Sequence, residues 1–262
     1  LGNDTTSNAP NNSHVSWNWK AGGSASSNSN GTITSSVSAN TDAGFSIVSY
    51  TGNGSDNATI GHGLGSSIDF VIVKRRNTTS NWLVQGSKVG TGYGQYIELN
   101  AINAIGSASD NIKSVSSSLL TLGTNGSCNG SSDTYIAYCF AEKKGYSKFG
   151  SYTGNGNNNG TFVYTGFKPA FVIVKNTAIN ENWSMHDNKR NDNVIPNYAR
   201  LTPDDNQAEA TNTTFAKLET FSNGFKLGNS ADVINDSGVE FIYMAFASNP
   251  LVTSTGVPTT AR

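Results

Sequence analysis

A long stretch of the sequence occurs twice, and this repeat limits the possible folds more than any other feature. Phe45–Gln85 and Phe149–His186 both contain SYTGNG, a pair of strand-like segments, FVIVK and an Asn-Trp dipeptide, in that order. The matching residue pairs, 101 or 102 positions apart, are Tyr50 with Tyr152, Lys74 with Lys175, and Trp82 with Trp183. We predict two similar units of about 100 residues each, the size of a small β-sandwich.

The closing part of a unit occurs a third time, at the start of the chain. Leu1–Trp19, Leu122–Phe140 and Leu227–Phe246 each begin with Leu-Gly, continue through a polar loop and end in a short aromatic-rich segment. The chain is therefore predicted to open with the closing strand of a preceding, partial unit. Two explanations remain open: the native protein continues upstream, or this strand completes a unit in another chain.

Both units are predicted to be all-β. Phe70–Val73 and Phe171–Val174 are continuous apolar runs rich in β-branched residues, which predicts central strands buried on both faces. The predicted divisions are a closing strand at 1–23, a Gly/Ser/Asn-rich linker at 24–44, β-sandwich repeats at 45–147 and 148–249, and an extended C-terminal arm at 250–262.

Three local predictions accompany this division. The 24–44 segment reads as a flexible linker, or in part as a short edge strand, because Ile33 and Val37 alternate with small polar residues. Thr220–Leu227 is predicted to be a hairpin closed by a type I′ Asn-Gly turn. A short helix is predicted around Asp204–Ala210.

Composition argues against a nucleic-acid partner, a membrane-spanning segment and a disulfide framework. Charged residues are 13% of the chain, the net charge is −1, and the longest basic run is Lys74–Arg76, so phosphate neutralisation on a nucleic acid is not expected. The sequence contains no apolar run long enough to cross a bilayer. Cys128 and Cys139 do not form a disulfide framework, and unpaired thiols are favoured over a bridge between them.

The sequence supplies no constellation for catalysis or for a metal site. His62 lies in a glycine-rich turn without a histidine in the second copy, so a special role stands beside a structural one. Solvated charge is the favoured reading of the dispersed carboxylates Glu98, Asp110, Glu181 and Glu209. Calcium binding is a minor alternative for the loops around Asp4, Asp133, Asp232 and Asp236, whose spacing is not that of an EF-hand. We predict no catalytic residue, no metal site and no cofactor.

The aromatic residues offer the few candidates for a binding surface. Trp82 and Trp183 recur between units, which favours core packing over ligand binding. Tyr93 and Tyr96, in GTGYGQY, are less readily explained by packing and are the candidates for a contact surface. No ligand-binding residue is assigned beyond them.

Taken together, the motifs resemble a known family. SYTGNG, GHGLG, FVIVK, Asn-Trp, SNGFKLG, YIAYCFAEKKGYSKFG and GVPTTAR look like a tandem repeat domain of tailed-phage virion proteins frequent in marine phages. This resemblance implies lectin-like or jelly-roll-like β-sandwiches in a tail fibre, capsid fibre or head decoration on the virion surface. The resemblance implies no catalytic residue in this chain.

The leading hypothesis is a non-enzymatic virion structural protein that self-assembles and presents a surface for host or capsid attachment. Its expected partners are copies of itself, for example in a trimer, and other virion proteins. The alternative is a carbohydrate-binding adhesin that recognises host surface glycans. A depolymerising enzyme is a third, less favoured hypothesis, because it requires an acidic pair or nucleophile cluster in one cleft.

Overall fold

A computed structural model describes residues 10–11, 14–190, 199–210 and 216–247. Eighteen strands and one short helix lie in this part of the chain, which confirms the predicted all-β class. The strands are β1 Ser26–Asn28, β2 Ser35–Asn40, β3 Phe45–Thr51, β4 Ala58–Gly61, β5 Phe70–Arg75, β6 Leu83–Gln85, β7 Gln95–Glu98, β8 Gly106–Ser107, β9 Ile112–Val115, β10 Leu119–Leu122, β11 Thr134–Phe140, β12 Ser147–Thr153, β13 Phe162–Tyr164, β14 Pro169–Asn176, β15 Ser184–Asp187, β16 Leu218–Phe221, β17 Gly224–Leu227 and β18 Glu240–Ala247. The helix, α1, is Asp232–Asn235.

The strands form two pairs of antiparallel sheets. The first pair has the orders β1-β2-β3-β11-β5-β6-β7-β8 and β4-β10-β9, and we call it the N-terminal sandwich. The second pair has the orders β12-β18-β14-β15 and β13-β17-β16, and we call it the C-terminal sandwich. The C-terminal orders match β3-β11-β5-β6 and β4-β10-β9 strand for strand, so the repeated sequence has a repeated topology.

Each sandwich has its own core between a large and a small sheet. In β5, Val71 and Val73 point into the N-terminal core; in β14, Val172 and Val174 point into the C-terminal core. These are alternate residues of the two FVIV runs, as the pleat of a strand requires.

The remaining residues of these runs face a third core, between the two large sheets. Phe70 of β5 and Phe171 and Ile173 of β14 lie there, so the prediction of strands buried on both faces is confirmed. Aromatic pairs such as Phe140–Phe149, with ring centroids 6.2 Å apart, join the two sandwiches. The molecule therefore has four stacked sheets, with the large sheets back to back.

The predicted closing strand at 1–23 is not formed by its described residues. Residues 14–22 have no strand structure, and instead Trp17 and Trp19 lie against Phe171, with ring centroids 5.5 and 5.6 Å away. A strand needs a neighbouring backbone, and the large sheets present side chains at this place. The strand predicted for this aromatic-rich segment is therefore wrong for its described residues.

The linker predicted at 24–44 is also wrong, because this segment contains β1 and β2. β2 pairs with β3 along Ser36–Asn40, and Val37 is buried in the N-terminal core. The small polar residues are accommodated here because Ser35 and Ser38 donate their hydroxyls to main-chain oxygens, while Ile33 and Val37 supply the apolar contacts. The edge-strand alternative describes this segment better.

Two further local predictions need correction. The β16–β17 hairpin exists, but Phe221 pairs with Gly224, so the turn residues are Ser222 and Asn223 and neither has a positive φ. Gly224 is required instead by space, since a Cβ there would lie 2.2 Å from the carbonyl oxygen of Val163. The described residues 204–210 form no helix. The arm predicted at 250–262 lies outside the described residues.

Candidate functional site

The repeated SYTGNG segment is a structural device in both sandwiches. Tyr50 donates its hydroxyl to the main-chain oxygen of Cys128 at 2.7 Å, and Tyr152 donates to that of Ile234 at 2.6 Å. Both tyrosines are buried, and burial raises the pKa of each hydroxyl well above its ordinary value. The tyrosine of the motif therefore fixes the loop that precedes the last strand of its sandwich.

Two asparagines that our sequence reasoning did not single out complete this device. Asn129 accepts the main-chain N–H of Asn53 at 3.0 Å, and Asn235 accepts that of Asn155 at 2.9 Å. Both side chains are buried, and their amides donate to nearby main-chain oxygens. A signal was present in the sequence: an Asn follows the Leu of each repeated Leu-Gly pair by seven or eight residues, including Asn8, which lies outside the described residues.

His62 is a buried turn residue in the structure. Its Nδ1 lies 3.4 Å from the main-chain N–H of Leu64, and its Nε2 lies 3.3 Å from the carbonyl oxygen of Ser116. This arrangement suits the neutral Nε2–H tautomer, and desolvation lowers the pKa of the imidazole. The structural interpretation of His62 accounts for both ring nitrogens.

The tyrosines proposed as a contact surface are packed rather than displayed. Tyr93 and Tyr96 are both half-buried against the N-terminal core, and Tyr93 donates its hydroxyl to the carbonyl oxygen of Ile68 at 3.2 Å. The glycine-rich neighbours suggested exposure, but Gly92 and Gly94 have positive φ values of 104° and 106°, so they shape the turn that brings the two rings against the sandwich.

The two recurrent tryptophans differ in burial. Trp183 is almost fully buried in the interface between the sandwiches, which confirms the predicted packing role. Trp82 is only half-buried, and its ring stacks on Tyr138 with centroids 6.2 Å apart.

The candidate carboxylates are dispersed and mostly engaged. Asp133 pairs with Arg75 at 2.5 Å and accepts a hydrogen bond from Asn77, while Glu209 lies 3.0 Å from Arg190. The described residues contain no group of three or more potential metal-ligating side chains, and Asp4 lies outside them. Cys128 and Cys139 are both free and buried.

A buried polar cluster lies beside β15 in the C-terminal sandwich. Ser184 and His186 are hydrogen-bonded at 2.8 Å, and Arg190 donates to Asp187 at 2.6 Å. Desolvation, reinforced by Arg200, lowers the pKa of His186 to about 3, so the ring is neutral. Ser184 and His186 are inaccessible to a substrate in this form, because both are almost fully buried. The cluster is therefore part of the packed interior of the C-terminal sandwich.

An apolar cavity of about 430 Å³ lies between the two large sheets. Its walls include Trp17, Trp19 and Trp183. Two of these rings already use their N–H groups, since Trp17 donates to Asp187 and Trp183 to the carbonyl oxygen of Glu98. The cavity therefore offers few hydrogen-bonding groups to a polar ligand.

The clearest asymmetry between the sandwiches is at one flank. In the N-terminal sandwich, residues 26–40 close the gap between the edges of the two sheets: β2 pairs with β3, and Ile33 donates its main-chain N–H to Thr59 of β4 at 2.9 Å. No described segment plays this part in the C-terminal sandwich, where β12 and β13 are the corresponding edges. We call this side the open flank.

Alternation along the open flank shows which backbone groups are free to pair. Gly154 donates its N–H to the carbonyl oxygen of Val239, so the main-chain groups of the even-numbered residues of β12 point toward β18. The main-chain groups of Ser151 point the other way, away from the sheet. By the same rule, the main-chain groups of Phe162 and Tyr164 in β13 point away from the sheet, because the main-chain groups of Thr161 and Thr165 bond on the β17 side. Within the described part of the chain, the main-chain N–H and C=O groups of Ser151 have no hydrogen-bond partner.

Comparison with known proteins yields one match. Residues 1–250 match a family described as a domain of unknown function (DUF7483). No curated protein and no solved structure matches the chain. In the described residues, no helix is both long and apolar enough to span a membrane.

Proposed function

The chain belongs to the DUF7483 family, and we propose that it is a non-enzymatic structural protein of a phage virion. In this role it assembles with copies of itself and with other virion proteins, in a fibre, an appendage or a head decoration. It presents a surface there for host or capsid attachment.

The dense aromatic packing between the large sheets supports a structural role. Phenylalanines from both large sheets meet in one interface, including Phe70, Phe140, Phe149, Phe171 and Phe246. Most histidine and cysteine side chains are used inside the sandwiches: His62, His186 and both cysteines are buried, as is Ser184, whereas His14 is exposed. Such an arrangement favours a packed scaffold over a catalytic cleft.

The open flank is the observation that carries the assembly part of the proposal. An exposed edge with unpaired backbone groups is a template for a strand from another chain. The N-terminal sandwich shows how such a flank is closed, because residues 26–40 bond to both of its edges. In the proposed assembly a neighbouring copy supplies the closing contact.

Substitution of an edge residue tests this proposal. Ser151→Pro removes an outward N–H that β18 does not use, so the sandwich is expected to fold while pairing at the edge is blocked. Ser151→Ala is the matched control, because it retains the N–H. We expect sedimentation velocity to show an oligomer for the native chain and for Ser151→Ala, and a shift to monomer for Ser151→Pro. A monomeric native chain, or a Ser151→Pro oligomer of unchanged size, would rule out assembly through this flank.

Localisation on particles tests the virion part of the proposal. Antibodies raised against the folded chain should label intact phage particles in immunogold electron microscopy of lysates that contain this protein. Labelling restricted to soluble fractions after particle purification would contradict a virion role.

The second candidate function is a carbohydrate-binding adhesin. It is favoured by a specific observation, the exposure of three aromatic side chains on the small C-terminal sheet: Phe162, Tyr164 and Phe221. Screening of the native chain for glycan binding separates this function from a purely structural one.

A further inference from the structure

The outer face of the β13-β17-β16 sheet carries a group of exposed aromatic rings. Tyr164 is 65% exposed, Phe162 is 45% exposed and Phe221 is 40% exposed. In the described part of the chain, the other exposed large hydrophobic residues are aliphatic and lie elsewhere: Val15, Ile102 and Ile179. Exposed aromatic residues are therefore concentrated on this one face, which we call the aromatic face.

Strand register places these rings in a small grid with charged residues. Phe162 pairs with Lys226, which pairs with Glu219 across β17. In the next outward-facing row, Tyr164 pairs with Gly224, which pairs with Phe221. Successive side chains of a strand point to opposite faces, and the intervening Val163 and Phe225 are buried in the core. The grid therefore faces outward, with Gly224 between two rings.

Phe162 is the ring of the three that covers the strand glycine. Its ring leans over Gly224, where a Cβ would lie 2.8 Å from Phe162 Cζ, and its centroid is 6.0 Å from that of Phe221. Such cover of a strand glycine by a neighbouring ring stabilises a sheet. Tyr164, the most exposed of the three, gains much less from packing.

The N-terminal sandwich shows that the fold does not need rings at these positions. Ile60 pairs with Leu120 as Val163 pairs with Phe225, so Thr59 and Gly61 occupy the places of Phe162 and Tyr164. Ser116, which directly follows β9 and bonds to Leu119 of β10, takes the place of Phe221. The same fold thus has small or polar residues on one sandwich and aromatic rings on the other.

We propose that the aromatic face is a saccharide-binding site in which Tyr164 and Phe221 stack on the apolar faces of sugar rings. This inference rests on the second proposed function and gives it a location. Flat aromatic rings match the C–H faces of a pyranose, and Tyr also brings a hydroxyl. Neighbouring polar groups supply hydrogen bonds for sugar hydroxyls: Lys226, whose ammonium contacts Asn159, and Glu219, which pairs with Lys217 at 3.0 Å.

The mixture of rings and charges decides between a saccharide and an apolar partner. The apolar cavity between the large sheets offers few polar groups, whereas on the aromatic face Lys226 and Glu219 share a row with Phe162, and Tyr164 carries its own hydroxyl. A small number of placed polar groups around an apolar contact is the usual design of a site for a polar ligand.

The internal repeat also supplies the test variants. Tyr164→Gly and Phe221→Ser each install the residue that the N-terminal sandwich has at the equivalent position, so the sheet should tolerate both. Ile179→Ser is the matched control, because it removes an exposed apolar side chain, 38% exposed, away from this face. The probe is a printed array of bacterial surface oligosaccharides, and the affinity of each positive compound is then measured by titration calorimetry.

We expect the native chain and Ile179→Ser to bind the same oligosaccharides. The double variant, which combines Tyr164→Gly and Phe221→Ser, should bind at least about tenfold more weakly, because it has lost one stacking contact or more. Equal binding by the double variant would overturn this site while leaving the adhesin function standing. No binding by the native chain would overturn both. Loss of self-association by the double variant, without glycan binding by the native chain, would identify the face as a contact between copies and overturn the saccharide proposal.

Discussion

Trp183 of the C-terminal sandwich donates its indole N–H to the main-chain oxygen of Glu98 in the N-terminal sandwich, at 2.8 Å. The ring is almost fully buried in the aromatic interface between the large sheets. A buried polar group of this kind fixes the relative position of two packed surfaces, because only one arrangement satisfies it. This contact joins the two sandwiches at a defined place.

The first prediction concerns this contact. Trp183→Phe keeps much of the apolar area but removes the buried indole N–H that pairs with the part-buried carbonyl oxygen of Glu98, so the free energy of unfolding should fall by about 1–3 kcal/mol. Trp82→Phe is the matched control at the equivalent position, and because Trp82 is half-buried its cost should be smaller. Urea unfolding of both variants measures the difference. An equal or larger loss in Trp82→Phe would contradict a special role for Trp183.

The second prediction concerns the asparagines that hold the repeated loops. Asn235→Ala removes the acceptor of the Asn155 N–H and the donors to the carbonyl oxygens of Asn157 and Asn229. We expect a loss of about 1–3 kcal/mol in the free energy of unfolding, since several hydrogen bonds of a fully buried side chain are removed together. Asn158→Ala, an exposed change in the same loop, should be close to neutral. Thermal unfolding that ranks the two variants in the opposite order would remove the proposed role of Asn235.

These asparagines show how far the sequence could lead. The repeat, the all-β class and the doubly buried FVIV strands follow from local patterns, because periodicity reports which side chains are apolar. Partners across the fold are not encoded locally: Trp17 has strand-like neighbours but lies on Phe171, and residues 24–44 look like a linker until β3 offers a backbone to pair with.

The aromatic face was missed for a related reason. Phe162, Tyr164 and Phe221 come from two strands separated by more than fifty residues, and each resembles an ordinary strand residue in its own segment. Only the register through β17 brings them to one surface. A comparison of Phe162 and Tyr164 with Thr59 and Gly61 could have drawn attention to them, but not to their exposure.

The third prediction concerns acid stability through His186. Burial lowers the pKa of this imidazole to about 3 in the folded chain, below the ordinary value of 6.5. The unfolded chain therefore binds a proton more readily, and the stability supplied by the neutral ring is present above pH 6.5 and lost as the pH falls toward 3. His186→Gln installs the residue found at the equivalent position, Gln85. It should flatten the decline in unfolding midpoint between pH 6.5 and 4, and an unchanged decline would assign the acid sensitivity to other groups.

The fourth prediction concerns Lys175, whose ammonium donates to the main-chain oxygens of Ile102 and Asn176 in a fully buried position. Desolvation lowers its pKa from 10.5 to about 8. Stability should therefore rise as the pH increases from 8 to 10.5, because the unfolded chain holds the proton longer. Lys175→Met should remove this rise and cost little or stabilise the chain at neutral pH. The equivalent Lys74→Met, at a partly exposed position, should leave the rise in place.

The fifth prediction concerns the two thiols. Burial raises the pKa of both Cys128 and Cys139 from 9.0 to about 12. The thiolate is the reactive species, so the shift alone lowers its fraction at pH 8 by about a thousandfold, and burial blocks access in addition. The folded chain should therefore react very slowly with a disulfide reagent at pH 8, and both thiols should react promptly in guanidinium. The single variants Cys128→Ser and Cys139→Ser assign any residual rate to one position. Prompt reaction of a folded single variant would show that its remaining thiol is reached through local opening, and the sandwich around that thiol would then be less rigid than its packing indicates.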